Sequence, residues 1–289
     1  MSSFVSVRNL SHTYSDGATN TVALHNISFD INKGEIIGIV GHTGSGKSTL
    51  VQHLNGLIKC EKGHIFINGE DIWENPKNIS KFRYKVGLVF QYPEYQLFEE
   101  TAYKDIAYGP KNMGLDENEI NSRVRQAAEF VGLKDYMLDQ SPFDFSGGQK
   151  RRIAIAGVLA MKPEVLILDE PSAGLDPKGR DRIFNLINAY REKTGATVIV
   201  VSHNMNDIVE VADRIMVMHK GELKEFDTPE RIFESADKLK SYSLDLPAAA
   251  KIADGLRKNG IDIPKGVLSV NDLSDALLKI ISKEGSINE

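Results

Sequence analysis

Cysteine is nearly absent. Cys60 stands alone among 289 residues, so no disulfide can form within the chain, a usage that fits a reducing compartment. Long hydrophobic runs are missing too. The longest apolar stretches, such as "IAIAGVLAM" (153–161), fall well short of the roughly 20 residues that span a bilayer, so the chain is not expected to cross a membrane by itself. The opening "MSSFVSVRNLSHTYS" has neither a basic leader nor the apolar segment of a signal peptide. Neither sign of charge dominates: 35 Lys and Arg against 40 Asp and Glu give a formal net charge of −5, which argues against a protein whose main task is to coat nucleic acid. What remains, 41% hydrophobic and 26% charged, is the composition of a globular chain able to bury one large core or two smaller ones.

Against that background one stretch stands out. In "GEIIGIVGHTGSGKSTL" (34–50), Ile36, Ile37, Ile39 and Val40 read as a buried strand, and helical spacing resumes from Thr49 to Leu57. The polar insert between them therefore lies at a strand-to-helix turn, and it matches G-x-x-x-x-G-K-[ST] with Gly41, Gly46, Lys47 and Ser48. Gly41, Gly44 and Gly46, with His42, Thr43 and Ser45 between them, let successive backbone N–H groups wrap around an anion. The following helix adds the positive end of its dipole. Phosphate is the expected guest, with Lys47 on the outer phosphates and Ser48 on Mg2+.

Two further stretches extend the chemistry. "VLILDEP" (165–171) puts Asp169 and Glu170 at the end of a buried strand, where Asp169 can hold Mg2+ through its water shell and Glu170 can polarise the water that attacks a γ-phosphate. In "FSGGQKRRIAIAG" (145–157), Ser146, Gly147 and Gly148 precede a helix expected to begin near Gln149, a second anion site at a helix N-terminus. One nucleotide needs one such cradle, so the second is best explained if it serves a nucleotide held by another subunit.

The rest of the chain frames these motifs. Alternation in "FVSVRNLSHTYS" (4–15), "ALHNISFDINKGE" (23–35) and "GHIFINGEDI" (63–72) predicts antiparallel strands around the phosphate loop. From about 92 to 163 the pattern turns helical, with Asp116 as a candidate N-cap, Ile120, Val124, Ala127 and Val131 on one face, and Gly132 as the stop. Then "VLILDE" and "TVIVVSH" alternate with helices such as "KGRDRIFNLINAYREKTG", as in a parallel α/β sheet covered on both faces. Beyond Phe226 come short helices with start signals at Thr228–Pro229, Leu246–Pro247 and Ser269 with Asp272, the last carrying an apolar stripe of Leu273, Leu277, Leu278 and Ile281.

The phosphate loop, Gln91, "SGGQ" (146–149), "LDEP" (168–171), "SAGLDP" (172–177) and "VSH" (201–203) occur in the order seen in ATP-binding cassette (ABC) ATPases. Over roughly residues 4–235 the chain resembles that family. The resemblance implies an α/β fold: a P-loop NTPase core with a mixed sheet, an antiparallel part and a helical subdomain, spanning 1–235, followed by a small helical C-terminal appendage, 236–289. It implies Tyr14 stacking on adenine, Thr49 beside Lys47 and Ser48 on the phosphates and Mg2+, and Gln91 sensing Mg2+ and the attacking water. His203 would touch the γ-phosphate, and Asp176 would speak across a dimer. In that dimer each ATP lies between one phosphate loop and the other subunit's Ser146, Gly147, Gly148 and Gln149. Phe145 and Ser172 depart from the commoner Leu and Thr without removing a catalytic group.

A narrower resemblance lies in "VGLVFQYPEYQLFEETAYKDIAYGPKNMG" (86–114), "SPFDFSGGQKRRIAIAGVLAM" (141–161) and the tail's "LDLP" (244–247). These look most like the second of the two paralogous ATPases of energy-coupling factor (ECF) transporters, importers of vitamins and metal ions. It implies a second ATPase as partner, in a heterodimer or a homodimer, at the cytoplasmic face of the membrane. A transmembrane T component would dock after Gln91, and a substrate-binding S component would be engaged indirectly. Tyr92, Pro93, Tyr95, Leu97 and Phe98, with Glu94, Glu99 and Glu100, suggest an apolar groove with acidic edges that suits a helix carrying arginine. Two other readings stay open: the ATPase of another ABC importer or exporter, and a non-transport ABC ATPase. Against the latter, residues 48–146 lack the sustained heptads of a long coiled-coil insertion.

Overall fold

The computed structural model describes residues 3–15, 17 and 19–285, so the outermost ends of the two expected segments, 1–2 and 286–289, lie outside the described residues. The strands are β1 (Val5–Ser15), β2 (Asn20–Ile31), β3 (Ile36–Val40), β4 (Ile65–Ile67), β5 (Glu70–Asp71), β6 (Val86–Val89), β7 (Val165–Asp169), β8 (Thr197–Val201), β9 (Arg214–His219) and β10 (Glu222–Asp227). The helices are α1 (Lys47–Leu54), α2 (Ile79–Lys85), α3 (Ala102–Asn112), α4 (Glu117–Phe130), α5 (Gly147–Leu159), α6 (Pro177–Thr194), α7 (Met205–Val211), α8 (Pro229–Ile232), α9 (Ala236–Ser241), α10 (Ala248–Lys258) and α11 (Val270–Gly285).

The expected antiparallel part is a four-stranded sheet in the order β2-β1-β4-β5, and the expected parallel part is a six-stranded sheet in the order β10-β9-β3-β8-β7-β6, with β10 alone antiparallel to its neighbour. The period-2 alternation of a strand explains how β3 serves two layers. Ile37 and Ile39 join the apolar layer shared with β1, β2, β4 and α1, whereas Ile36 and Val40 join the cluster formed with α3 to α7. Because β3 is buried along its whole length, its residues are apolar without a break, as strands covered on both faces require.

Local signals place the helices. Asp116 caps α4, its Oδ1 accepting from Asn118 N and Glu119 N at 3.0 Å, and Gly132 ends that stretch at φ +72°. Two starts lie earlier than sequence spacing suggested. The helix after the phosphate loop begins at Lys47 rather than Thr49 and ends at Leu54, before a turn at Gly56 with φ +73°. The helix after Ser146 begins at Gly147 rather than Gln149. In both cases glycine-rich sequence hides a first turn whose backbone is already helical.

The tail is seated on the main body: Leu239, Leu244, Ala250 and Leu268 share the large cluster with Ile183 and Ile187 of α6. A separate small cluster links α10 and α11. The expected stripe on α11 is split. Leu273 and Leu277 pack with Ala276 and Ile280 towards Ala249 and Ala253, whereas Leu278 and Ile281 are exposed. At 3.6 residues per turn the inward strip runs 273, 276, 277, 280, and positions 278 and 281 fall beside it.

The closest approach in the sheet is at Gly38 of β3, where an added Cβ would lie 2.4 Å from Ile208 Cγ2 and 3.3 Å from Ala212 Cβ on the α7 side. Gly38→Ala is therefore expected to destabilise the fold by about 1–3 kcal/mol, the usual cost of overpacking. The reading is a lower urea midpoint at an unchanged slope, and an unshifted midpoint would contradict the close packing of α7 on β3.

Candidate functional site

β3, β8, β7 and β6 run parallel as neighbours, with Ile39 opposite Val201, Val201 opposite Asp169, and Leu168 opposite Val89. Their carboxyl ends thus open along one edge, the place where ligands bind on such sheets. Val40 leads into the phosphate loop, Val201 leads to His203, β7 ends in Asp169 with Glu170 next, and Val89 precedes Gln91 by two residues. Four segments scattered over more than 160 positions meet because strand order puts their ends side by side.

The phosphate loop is shaped by its glycines. Gly44 and Gly46 take φ of +80° and +99°, and a Cβ on Gly46 would come within 2.4 Å of Ala23 O. The intrahelical ladder of α1 starts only with Leu50 N to Gly46 O, so the amides of its first turn face the loop without helical partners. Lys47 Nζ folds back to donate to Gly41 O at 2.7 Å and His42 O at 3.1 Å. Burial pushes its pKa down, while Glu170 and Asp169 act in the opposite direction. Ser45 is wholly buried, and its Oγ has no hydrogen-bond partner among the described residues.

Facing this loop, Asp169 Oδ2 accepts from Ser48 Oγ at 3.3 Å. Burial raises the Asp169 pKa and the adjacent Glu170 carboxylate raises it further, with Ser48 and Lys47 opposing. The hydroxyl of Ser48 and the carboxylate of Asp169 are a hard oxygen pair of the sort that binds Mg2+. The half-buried Lys47 and the free first turn of α1 suit a polyphosphate. The residues present fit both groups.

Glu170 is held tightly. Its φ of +51° lies in the left-handed region, a strained setting for a non-glycine residue, and its N–H donates to Val201 O at 2.9 Å, pinning the turn to the end of β8. Oε1 accepts from His203 N at 3.0 Å, and Oε2 lies 2.9 Å from His203 Nδ1. The Glu170 side chain is 12% exposed and that of His203 is 74% exposed, so the pair has a protected end and an open end. Tyr14 is half exposed, with its hydroxyl 3.3 Å from Thr49 Oγ1. Its ring meets His12 edge-on at 4.5 Å, and His12 in turn meets His53, whose pKa burial lowers to about 4. Gln91 is exposed beyond β6.

The other predicted residues lie elsewhere. Ser146 opens α5, and Gln149 Oε1 accepts from both Ser146 N and Ser146 Oγ at 2.9 Å, which satisfies the cap and leaves Gly147 and Gly148 bare and exposed. Asp176 caps α6 through Gly179 N at 2.8 Å. Ser146, Gly148, Gln149 and Asp176 line one cleft of about 860 Å³ that no phosphate-loop residue lines. Within one chain the two halves are not brought together.

Sequence reasoning missed three residues around this site. Arg151 is buried, and its guanidinium makes a two-pronged ion pair with Glu94 while also donating to Ala173 O at 2.8 Å. Glu94 was expected at an acidic groove edge; it is instead occupied by an arginine 57 positions away, a separation that leaves no local sequence pattern. Asp207, wholly buried, joins Ser172, Asn204 at 2.9 Å and Arg180 at 2.5 Å, bracing the segments after Glu170 and His203 against α6. His219 meets His42 of the phosphate loop at 5.1 Å between ring centres, and its Nδ1 lies 3.2 Å from Tyr242 O of the tail.

Residues 24–173 match the sequence family described as ABC transporter. An energy-coupling factor transporter ATP-binding protein, EcfA2, of Caldanaerobacter subterraneus subsp. tengcongensis is 50% identical over 96% of this chain and 97% of its own length. The protein of the same name from Clostridioides difficile is 51% identical over 96% and 98%. Among solved structures, cbiO1 of Clostridium perfringens, part of the ABC transporter complex cbiONQ, superposes with a TM-score of 0.73 at 37% identity, covering 87% of this chain and 99% of that one. A dimeric post-hydrolysis ATP-binding cassette, MJ0796, bound to ADP and Pi gives 0.69 at 29% identity, covering 78% and 98%.

The raised pKa of Asp169 fixes the sign of a stability effect. A carboxyl that binds its proton more tightly when folded contributes stability that is lost as pH rises from its ordinary value of 3.8 through the folded value. Asp169→Asn cannot ionise, so without nucleotide it is expected to be more stable than the parent at neutral pH by roughly 0.5–2 kcal/mol, read from urea unfolding. That gap should close as pH falls towards the ordinary carboxylate range. No gap at neutral pH, or one that widens in acid, would contradict the assignment.

Proposed function

The chain belongs to the ABC transporter family, in its branch of energy-coupling factor transporter ATP-binding proteins, and we propose that it works as one half of an ATPase pair. The observation that carries this reading is the separation of the phosphate loop, Asp169, Glu170 and His203 from the cleft of Ser146, Gly148, Gln149 and Asp176. Two chains set head to tail would complete each other: one supplies the phosphate cradle, and the other supplies the exposed N-terminus of α5. Hydrolysis then depends on closure of the pair.

In that pair Lys47 leaves the carbonyls of Gly41 and His42 for the outer phosphates of ATP. The backbone of Gly41 to Gly46 wraps the phosphate chain, Thr49 lies beside it, and Tyr14 stacks on the adenine. Ser48 and Asp169 would hold Mg2+, with Gln91 completing that side; bound there, the ion would neutralise charge on the phosphates. Glu170 orients the attacking water and takes its proton. His203 is engaged with Glu170 by both its backbone and its ring, so a γ-phosphate arriving at the open side competes for the imidazole and leaves the carboxylate to the water.

For the link to a membrane partner, Tyr84, Phe98, Tyr108, Gly109, Gly157 and Met161 contribute to an apolar hollow of about 290 Å³. Phe98 and Tyr108 are exposed and meet edge-on at 5.0 Å. This hollow suits the end of a partner helix. Its acidic character differs from the sequence expectation, because Glu94 is bound by Arg151 and Glu100 by Lys104. Asp105, whose pKa burial raises, remains on the wall and would favour a cation beside it. Among the described residues no helix is long and apolar enough to cross a membrane, which fits a peripheral subunit at the cytoplasmic face serving a T component directly and a substrate-binding S component indirectly. The imported solute would be a vitamin or a metal ion. Exposed Val270, Leu278 and Ile281 on α11 offer the tail an apolar surface for strengthening the pair with a paralogous ATPase.

Purification from gently solubilised membranes is expected to bring down a second ATPase and an integral membrane protein with this chain; a complex lacking both rejects the reading. In that complex Glu170→Gln should still bind ATP and pair, while turnover falls by roughly 10²–10⁴-fold. Hydrolysis at the parent rate would remove Glu170 from the role of base.

A further inference from the structure

Arg151 does more than its place in a basic run suggests. Its side chain is 4% exposed and that of Glu94 is 15% exposed, and two bonds of 2.9 Å join Nε to Oε2 and Nη2 to Oε1. Nη1 also donates to Ala173 O at 2.8 Å and to Pro171 O at 3.3 Å, in the turn that follows Glu170. One guanidinium therefore ties α5 to two other segments. Arg151 lies one helical turn beyond Gly147 on α5, so the exposed tip of that helix and the guanidinium move as one body. Glu94 sits in the 3-10 turn Pro93–Gln96, which follows Tyr92 at φ +54° and carries Tyr95 almost fully in solvent.

We propose that Arg151 is a positioning residue that makes the segment after Gln91 respond to the nucleotide held by the facing subunit. This rests on the paired reading above and adds a second route to it. Gln91 would report the chain's own nucleotide to residues 92–98, whereas α5, through the Arg151–Glu94 fork, reports the one across the interface. The fork suits this task because a planar two-pronged bond fixes direction as well as distance. Apolar contact, being non-directional, would hold the turn without setting its angle to α5.

That difference supplies the test. Replacing a buried ion pair by apolar residues commonly preserves or raises stability, whereas removing one partner does not. The double variant Glu94→Leu/Arg151→Met is therefore compared with the parent in the complete transporter and in the purified ATPase pair. It should stay folded with a cooperative melt, lowered only by the loss of the Arg151 donor to the carbonyls of Pro171 and Ala173, yet solute transported per ATP hydrolysed should fall about tenfold, a size typical of coupling between sites. In the purified pair, trapped with ATP by Glu170→Gln, hydrogen exchange at residues 92–98 should slow on closure in the parent background and respond about tenfold less in the double variant. Arg151→Lys, which keeps the charge but loses the fork, should fall between the two.

An unchanged transport ratio in the double variant, or an undiminished exchange response, overturns the proposal. If the parent yields no transporting complex at all, the docking reading fails instead, and the exchange measurement on the ATPase pair still decides whether the fork transmits closure.

Discussion

Two neighbouring carboxylates, Asp169 and Glu170, share a partly buried strand end with a single half-buried ammonium, Lys47, which is itself bonded to carbonyl oxygens. Burial opposes the charges of Asp169 and Lys47, and the arrangement persists because strand order leaves no choice: β3 and β7 flank β8, and their ends must meet. The left-handed backbone at Glu170 and the hydroxyl of Ser45, which has no hydrogen-bond partner among the described residues, lie at the same strand edge. A polyanion with a divalent cation would offset the buried charges at several points at once. Fold and site are thus two consequences of one register.

Around this centre the structure replaces loose surface polarity with directional braces. Asp207 binds Ser172, Asn204 and Arg180 in full burial, so the turns that follow the ends of β7 and β8 are referenced to the same helix, α6. Arg151 does likewise for α5, the Pro93–Gln96 turn and the turn after Glu170. The contacts of His42 with His219, and of His219 with Tyr242, bring the tail up behind the phosphate loop. Directional contacts of this kind fix angle as well as distance, and so specify one arrangement among many similarly packed ones.

The strands around the phosphate loop were legible because alternation and unbroken apolar runs are local properties, and Asp116 and Gly132 were legible because caps are local chemistry. The gathering of Lys47, Asp169, Glu170 and His203 followed from motif order, which reflects a known topology rather than a contact visible in the residues. What stayed hidden was long-range and pairwise. Nothing near Glu94 announces Arg151, nothing near Asp207 announces Arg180, and nothing near His42 announces His219. The α11 stripe misled for a different reason: four apolar residues spaced by one, three and four share a broad sector, and only the seating of α10 selects which of them turn inward.

In the proposed pair each pocket is divided between two chains, and that division has an arithmetical consequence for defects. Lesions in the loop around Lys47 and in the tip at Ser146 of the same polypeptide spoil opposite pockets, so a doubly damaged copy poisons both. Place one lesion on each member of a pair, and both fall in a single pocket while the other is left whole. Two broken copies can then leave one working centre, whereas one doubly broken copy beside a sound one leaves none.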